Sequence, residues 1–178
     1  GDWGLADFQR KRVWKENAKK ISFLRSIFLG IPATMLGELP IRELNGMILE
    51  VVNRIRPHAV FLPYPDRHVD HRLVFDSTLV ATRPISVGAE IEILASYETL
   101  SETHWNAPHL EPNFTPNWVV DISDFIETKK KALNCYESQI TPFPGPRSLK
   151  AAEALATFRG TQAGFAYGEG LHIIRMRS

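Results

Sequence analysis

The feature that most constrains the fold is a short apolar run followed at once by a polar loop. Residues 59–62 read Ala-Val-Phe-Leu, and residues 63–71 read Pro-Tyr-Pro-Asp-Arg-His-Val-Asp-His. An apolar run of this length is typical of a buried parallel strand, and an amphipathic helix is predicted from about Arg72 onward. In an open α/β sheet, a loop at the carboxyl end of a strand faces the crevice where ligands bind. The sequence therefore predicts a functional site on this loop.

The remainder of the chain alternates between helical and strand patterns. Apolar residues at helical spacing alternate with short apolar runs that are bounded by glycine or proline. Such an order builds strands joined by crossover helices, which predicts an α/β fold with parallel strands. Helices are expected at residues 10–25, 41–56, 72–83, 123–140 and 149–159, and strands at residues 26–31, 59–62, 90–97, 117–122 and 171–176.

Size and composition indicate one globular domain over residues 1–178. The 21 basic and 20 acidic side chains nearly cancel, so nothing in the charge suggests a nucleic-acid partner. No run of about 18 apolar residues could span a bilayer, and the first residues do not resemble a signal peptide. Cys135 is the only cysteine, which excludes an intramolecular disulfide and favours a reducing compartment. We therefore expect a cytoplasmic protein without a membrane span.

His68, Asp70 and His71 are the first candidates for chemistry. Histidines at positions i and i+3 can place two imidazoles on one side of a turn, and an aspartate between them can fix a ring tautomer. This combination suits a metal site, an acid/base pair or both, although neighbouring loop histidines are also common as solvated or structural residues. A zinc site needs at least one further protein ligand, and none is evident nearby. The other histidines are expected to be surface or packing residues: His58, His104, His109 and His172.

Several segments resemble, in the right order, the PIG-L/LmbE-like zinc-dependent N-deacetylases. Residues 56–63 followed by His68-Val69-Asp70-His71 resemble the second signature of the family, His-Pro-Asp-His. Residues 119–139 are similar to the strand-and-helix segment of the family, and residues 159–170 are similar to its closing segment. The resemblance spans essentially the whole chain. It implies a Rossmann-like three-layer sandwich with a mostly parallel sheet.

The resemblance also implies a role for each site residue. His71 corresponds to a zinc ligand, His68 to the group that stabilises the oxyanion or acts as general acid, and Asp70 to the residue that orients or tunes His68. These roles fit the chemistry, because zinc polarises an amide carbonyl and activates water while an imidazole neutralises the developing charge. Arg147 follows a proline-rich turn and could bind a substrate phosphate or carboxylate, with a solvated surface arginine as the alternative.

The first signature of the family, His-Pro-Asp-Asp, does not occur in this sequence. In the family it supplies two zinc ligands and the aspartate that acts as general base. Residues 1–4 resemble the loop that follows the second strand of the family, so the first strand-helix-strand unit, about 30 residues or more, is expected to be missing. Losing a central strand exposes the edges of its neighbours, which favours a truncated chain over a short natural homologue.

The resemblance implies zinc-dependent hydrolysis of an N-acetyl amide on an amino sugar or sugar conjugate. The expected partner is a small N-acetylated sugar, and homo-oligomers occur in some members of the family. The alternative is a non-catalytic sugar-binding or regulatory homologue that has lost its metal. A two-histidine phosphoesterase is more remote, because that chemistry needs a second His-x-Ser/Thr motif and none stands at a convincing position.

Overall fold

The computed structural model describes residues 26–107 and 109–177, which divide between two compact units. One unit contains residues 33–120 and 169–177, and the other contains residues 26–32 and 121–168. The helix expected at residues 10–25 lies outside the described residues. The assignment of the whole chain to a single domain stays a prediction.

The first unit contains two helices and a four-stranded sheet. Helix α1 and helix α2 pack against each other, and α2 also packs against strand β1. Its helices and strands are α1 (Ile41–Ile55), β1 (Ala59–Pro63), α2 (Val69–Ala81), β2 (Ile93–Tyr97), β3 (Trp118–Asp121) and β4 (Gly168–Met176). Strands β3 and β4 each extend one residue into the other unit.

The sheet is mixed, with the strand order β1-β2-β4-β3. Strands β1 and β2 are parallel, with Pro63 opposite Tyr97, so their carboxyl ends lie side by side. Strands β2 and β4 are antiparallel, with Tyr97 opposite Leu171. The α/β class is confirmed, but the expectation of a mostly parallel sheet is wrong for the described strands. Helix α2 is the crossover between the parallel strands β1 and β2, whereas the next neighbour of β2 is β4, which runs in the opposite direction.

The apolar core of this unit lies between α1, α2 and the sheet. Val52, Ala81 and Ile91 form a buried cluster, against which three partly buried residues pack, Ile48, Val60 and Val87. Helix α1 ends as the sequence predicts, because Arg56 adopts a left-handed conformation with φ of 49° immediately before Pro57.

Two strand predictions need correction. Residues 26–31 form no strand, and Gly30 within them has φ of +77°, which lies outside the extended region. Strand β1 exists but is only partly buried, with Leu62 enclosed and Phe61 49% exposed. It lies at one edge of the sheet. The Phe61 ring stacks against the Trp118 ring, with ring centroids 6.4 Å apart.

The second unit contains α3 (Ile126–Asn134) and α4 (Leu149–Thr161), which pack against each other. The predicted helix at residues 123–140 is therefore shorter than expected. Lys130 of α3 joins the two helices, because its Nζ lies 3.2 Å from the carboxylate of Glu153. Ser148 caps α4 by accepting a hydrogen bond from the Ala151 backbone N–H at 3.1 Å.

Across residues 26–107 and 109–177, none of the helices combines the length and the apolar character needed to cross a membrane.

Candidate metal and acid/base site

The His-Val-Asp-His segment forms the first turn of α2. The helix begins at Val69, three residues before the expected position, and His68 is its N-cap. The Nδ1 atom of His68 accepts a hydrogen bond from the Asp70 backbone N–H at 3.2 Å, which satisfies one of the free donors at the start of the helix. The segment therefore follows β1 as the sequence predicts, but it begins the helix instead of forming a loop before it.

Asp66 is the centre of this site, and its side chain has no solvent exposure. Its Oδ1 atom accepts hydrogen bonds from the His71 ring Nδ1 at 2.8 Å and from the His68 backbone N–H at 3.0 Å. Its Oδ2 atom accepts a hydrogen bond from the Thr103 hydroxyl at 2.7 Å. A buried carboxylate is stable only when such donors replace water, and this one has three.

These contacts give the two histidines opposite tautomers. His71 donates its Nδ1–H to Asp66, which leaves the lone pair on Nε2. His68 accepts at Nδ1, so its neutral ring has the proton on Nε2. The rings are stacked, with centroids 4.6 Å apart and planes inclined by 22°. The two stacked rings therefore offer one ring nitrogen that can bind a metal and one N–H that can donate a hydrogen bond.

Asp70 is buried, but its side chain does not contact the His68 ring. Its Oδ2 atom accepts a hydrogen bond from the Thr34 backbone N–H at 2.7 Å. Its Oδ1 atom is buried and has no hydrogen-bond partner within the part of the chain that the structure describes. The backbone of Asp70, and not its carboxylate, holds the His68 ring in this structure. The role expected for the carboxylate stays a prediction.

The loop around residues 109–114 contacts the segment between β1 and the first turn of α2. The Tyr64 hydroxyl donates to the Pro112 carbonyl at 2.9 Å, and its ring meets Phe114 edge to face at 5.3 Å. Glu111 forms a 2.9 Å ion pair with Arg72 in the first turn of α2 and a 3.5 Å pair with Arg67. This loop therefore lies against the candidate site.

Two tyrosines at the carboxyl ends of β1 and β2 are affected by the buried charge of Asp66. Burial raises the pKa of Tyr97 above its usual value of 10.0, and the Asp66 carboxylate raises it further. The pKa of Tyr64 is raised by burial, then by Asp66 and Glu111. Both hydroxyls therefore stay protonated near neutral pH and can act as hydrogen-bond donors.

Arg147 lies in the second compact unit, before α4. Its Nη1 atom donates a hydrogen bond to the Gln139 side chain at 3.0 Å. The predicted contact with substrate stays a prediction.

The site fits part of a metal centre. A histidine that binds a metal through one ring nitrogen usually donates the other N–H to a carboxylate, and the Asp66–His71 pair has this arrangement. Zinc sites have at least three protein ligands. No group of three or more histidine, cysteine, aspartate or glutamate side chains able to hold a metal occurs among residues 26–107 and 109–177. His71 therefore fits the position of a single ligand.

Sequence reasoning located the loop and both histidines but missed Asp66 and Thr103. Asp66 belongs to the singled-out segment, and its position directly after a strand was a usable signal. Thr103 is 37 positions away along the chain, and no local spacing relates it to Asp66.

Comparison with known sequences supports a deacetylase relationship. No family model matches the chain. Diacetylchitobiose deacetylase from Thermococcus kodakarensis is 27% identical over 146 residues, which cover 77% of this chain and 53% of that enzyme. The chain thus spans about half the length of this curated relative.

Three solved structures have a similar fold. The conserved protein TT1542 from Thermus thermophilus is 25% identical with a TM-score of 0.73, covering 95% of this chain and 74% of that one. N,N'-diacetylchitobiose deacetylase from Pyrococcus horikoshii, in complex with its inhibitor, is 24% identical with a TM-score of 0.67, and the match covers 93% of this chain and 62% of that one. The 4-carboxy-2-hydroxymuconate hydratase from Pseudomonas putida is 17% identical with a TM-score of 0.72, and the match covers 95% of this chain and 72% of that one.

The chain is thus similar in sequence to one diacetylchitobiose deacetylase and in fold to another. The Thermococcus relative is a deacetylase by name, and a deacetylase and a hydratase both have folds similar to that of this chain. Because the hydratase has a similar fold and is named for a different reaction, the fold alone does not specify the reaction of this chain.

Proposed function

We propose that this chain is the larger part of a zinc-dependent N-deacetylase that removes an acetyl group from an amino sugar or sugar conjugate. The observation that supports this proposal most directly is the pair of stacked imidazoles with opposite tautomers. One presents an Nε2 lone pair that suits a metal, and the other presents an Nε2–H that suits an oxyanion. The relative named as a diacetylchitobiose deacetylase supports the choice of an N-acetylated sugar.

Each site residue has a distinct task in this proposal. His71 would hold the zinc through Nε2, and the zinc would supply Lewis-acid polarisation of the amide carbonyl when bound. His68 would donate its Nε2–H to the carbonyl oxygen as negative charge develops there. Asp66 would keep His71 in the tautomer that leaves Nε2 free. The general base and two further zinc ligands would come from outside the described residues.

Several finer features belong to the same proposal. The complete protein would have a Rossmann-like three-layer sandwich with an additional strand-helix-strand unit, and residues 1–178 would belong to that one domain. Arg147 would contact a phosphate or carboxylate group of the substrate, and the Asp70 carboxylate would orient or tune His68. The enzyme would act in the cytoplasm.

The test combines zinc content with release of free amine. Elemental analysis is carried out on residues 1–178 and on a version that includes any natural sequence before Gly1. Both proteins are then incubated with diacetylchitobiose and N-acetylglucosamine, with zinc or with a chelator. We expect about one zinc per chain and chelator-sensitive amine release in the protein that has a complete ligand set. No zinc and no amine release in either protein would contradict the proposal.

The second candidate is a sugar-binding or regulatory protein without a metal. It is favoured by one observation, that residues 26–107 and 109–177 hold no group of three metal-binding side chains. Calorimetry with the same sugars separates the candidates. Sugar binding without zinc and without hydrolysis in both proteins would support the binding protein, whereas zinc-dependent hydrolysis would exclude it.

A further inference from the structure

We propose that Thr103 is a positioning residue, which sets the tautomer and ring orientation of His71 through the buried carboxylate of Asp66. Thr103 does not contact His71 itself. It contacts Asp66 Oδ2, while His71 contacts Asp66 Oδ1. The consequence for metal binding rests on the proposed deacetylase function, whereas the consequence for the His71 tautomer does not.

The direction of the Thr103 hydroxyl is fixed by a second hydrogen bond. The Thr99 backbone N–H donates to Thr103 Oγ1 at 2.8 Å, so this oxygen already has one donor. The hydroxyl then donates its own hydrogen to Asp66 Oδ2 at 2.7 Å. Thr103 is 5% exposed and Asp66 is fully enclosed, so water is a poor substitute for this bond.

The carboxylate of Asp66 needs this donor to keep its orientation. The terminal torsion of an aspartate is broad, and its two oxygens are nearly equivalent. If the donor to Oδ2 is removed, that oxygen is left buried without a partner, and the bond that held the carboxylate plane against rotation on that side is lost. Rotation of the carboxylate lengthens the 2.8 Å contact with His71 Nδ1, which is the contact that keeps the ring proton off Nε2.

The backbone around Thr103 is held in one conformation. Ser101 is buried with φ of +78°, a left-handed value that is uncommon for a residue other than glycine. The Thr103 N–H donates to the Thr99 carbonyl at 3.2 Å, and the Trp105 N–H donates to the Ser101 carbonyl at 2.9 Å. A residue kept in such a conformation by its surroundings is typical of a positioned functional segment. The turn after β2 thereby fixes a side chain on the loop after β1.

The test compares Thr103→Val with Thr103→Ser in the full-length protein. Valine has the shape of threonine without the hydroxyl, and serine keeps the hydroxyl. Thr157→Val is the matched control, because the Thr157 hydroxyl bonds the Glu153 carbonyl on the exposed side of α4. The tautomer of each histidine is read from ¹⁵N NMR of the ring nitrogens, and zinc affinity is measured by competition with a chelator.

We expect Thr103→Val to move His71 toward the Nε2–H tautomer and to weaken zinc binding about tenfold. In Thr103→Ser and Thr157→Val, the tautomer should be unchanged and the zinc affinity should stay within about twofold of that of the unmodified protein. An unchanged His71 tautomer in Thr103→Val would overturn the inference, and so would equal losses in the valine and serine variants. If no form binds zinc, the deacetylase proposal fails while the tautomer measurement still decides the role of Thr103.

A second measurement needs no variant and applies even if Thr103→Val does not fold. The hydroxyl proton of Thr103 should exchange slowly with water in the unmodified protein, because it is buried in a hydrogen bond to a carboxylate. Slow exchange supports the inference, and fast exchange overturns it.

Discussion

The two ends of helix α2 both contain fully buried polar side chains, but these side chains make different kinds of hydrogen bond. Asp66 lies just before the amino end, and Thr82 is the C-cap residue. At the carboxyl end, the Thr82 hydroxyl donates to the Thr78 carbonyl at 2.7 Å. Arg175 of β4 donates through Nη2 to the Thr82 carbonyl at 2.8 Å and to the Gly88 carbonyl at 3.1 Å.

The polar bonds at the carboxyl end run to backbone carbonyls, and the bond from Arg175 satisfies the Thr82 carbonyl, an acceptor that the end of the helix leaves free. At the amino end, Asp66 instead bonds the His71 ring and the Thr103 hydroxyl, in addition to one backbone N–H. The result is a pair of oriented imidazoles whose Nε2 atoms have no hydrogen-bond partner among the described residues. We infer that the hydrogen bonds of Thr82 and Arg175 stabilise the carboxyl end of the helix. Those of Asp66 at the amino end instead orient the histidine rings.

The largest effect is expected for His68→Ala in the active form of the protein. Removing a donor to the developing oxyanion should lower turnover about 10²- to 10³-fold, while zinc content stays the same. Steady-state kinetics and elemental analysis test this. His58→Ala is the control, because the His58 side chain is 84% exposed at the opposite end of β1. Unchanged turnover in His68→Ala would remove the functional distinction between the two ends of α2.

Asp66→Asn should affect both folding and metal binding. The asparagine amide has one N–H₂ group where the carboxylate has a second acceptor oxygen, so at least one of the donors that bond Asp66 loses its acceptor. The free energy of unfolding should therefore fall by about 2–3 kcal/mol. Zinc affinity should fall about 10- to 100-fold because His71 loses its orienting carboxylate. Urea unfolding and chelator competition measure the two effects, with Asp76→Asn on the same helix as control. Destabilisation with unaltered zinc affinity would mean that the amino end is structural too.

Arg175→Met should affect stability alone. The variant leaves the carbonyls of Thr82 and Gly88 without their side-chain donor, which should lower the free energy of unfolding by about 1–3 kcal/mol. Zinc content and turnover should equal those of the unmodified protein. Arg177→Met, at an exposed position two residues further on, is the control. A loss of zinc in Arg175→Met would contradict the assignment of the carboxyl end to folding.

The smallest effect is expected at Glu111, which contacts the first turn of α2 from outside. The hydrogen bond from Arg72 is the main cause that lowers the pKa of Glu111 below its usual value of 4.5. Because the folded protein has the lower pKa, this contact stabilises it above pH 4.5, and the stabilisation is lost as the pH falls through the folded value. Unfolding measured from about pH 7 to about pH 3 should show less acid destabilisation in Glu111→Gln. If the free energy of unfolding falls equally toward pH 3 in Glu111→Gln and in the unmodified protein, the Arg72–Glu111 contact does not contribute to acid stability.

Local patterns predicted most of the elements and the position of the site. Pro57 fixed the end of α1, and the apolar run before Pro63 located β1. The spacing of His68 and His71 correctly placed both rings on one side of a turn. Each of these features depends on residues that are close together in sequence, which is why a pattern could reveal them.

The features that were missed depend on how distant or irregular segments meet. Sequence reasoning chose Asp70 because it lies between the histidines, yet Asp66 contacts the His71 ring. Residues 66–71 pass from loop to helix, so helical spacing does not describe which of them meet. Thr103 reaches Asp66 only because β1 and β2 pair in parallel and bring their following loops together. The reversal of β4 was also missed, since a strand pattern contains no information about direction.

The position of β4 between β2 and β3 has a consequence for synthesis of the protein. Strand β4 is formed by residues near the end of the chain, whereas its neighbours in the sheet are formed much earlier. While the nascent chain is still emerging from the ribosome, β2 has only β1 as a partner and β3 has no partner among these strands. The sheet that supports the site can therefore be completed only after translation has reached Met176, and a ribosome that stalls before Gly168 leaves two strands exposed to aggregation.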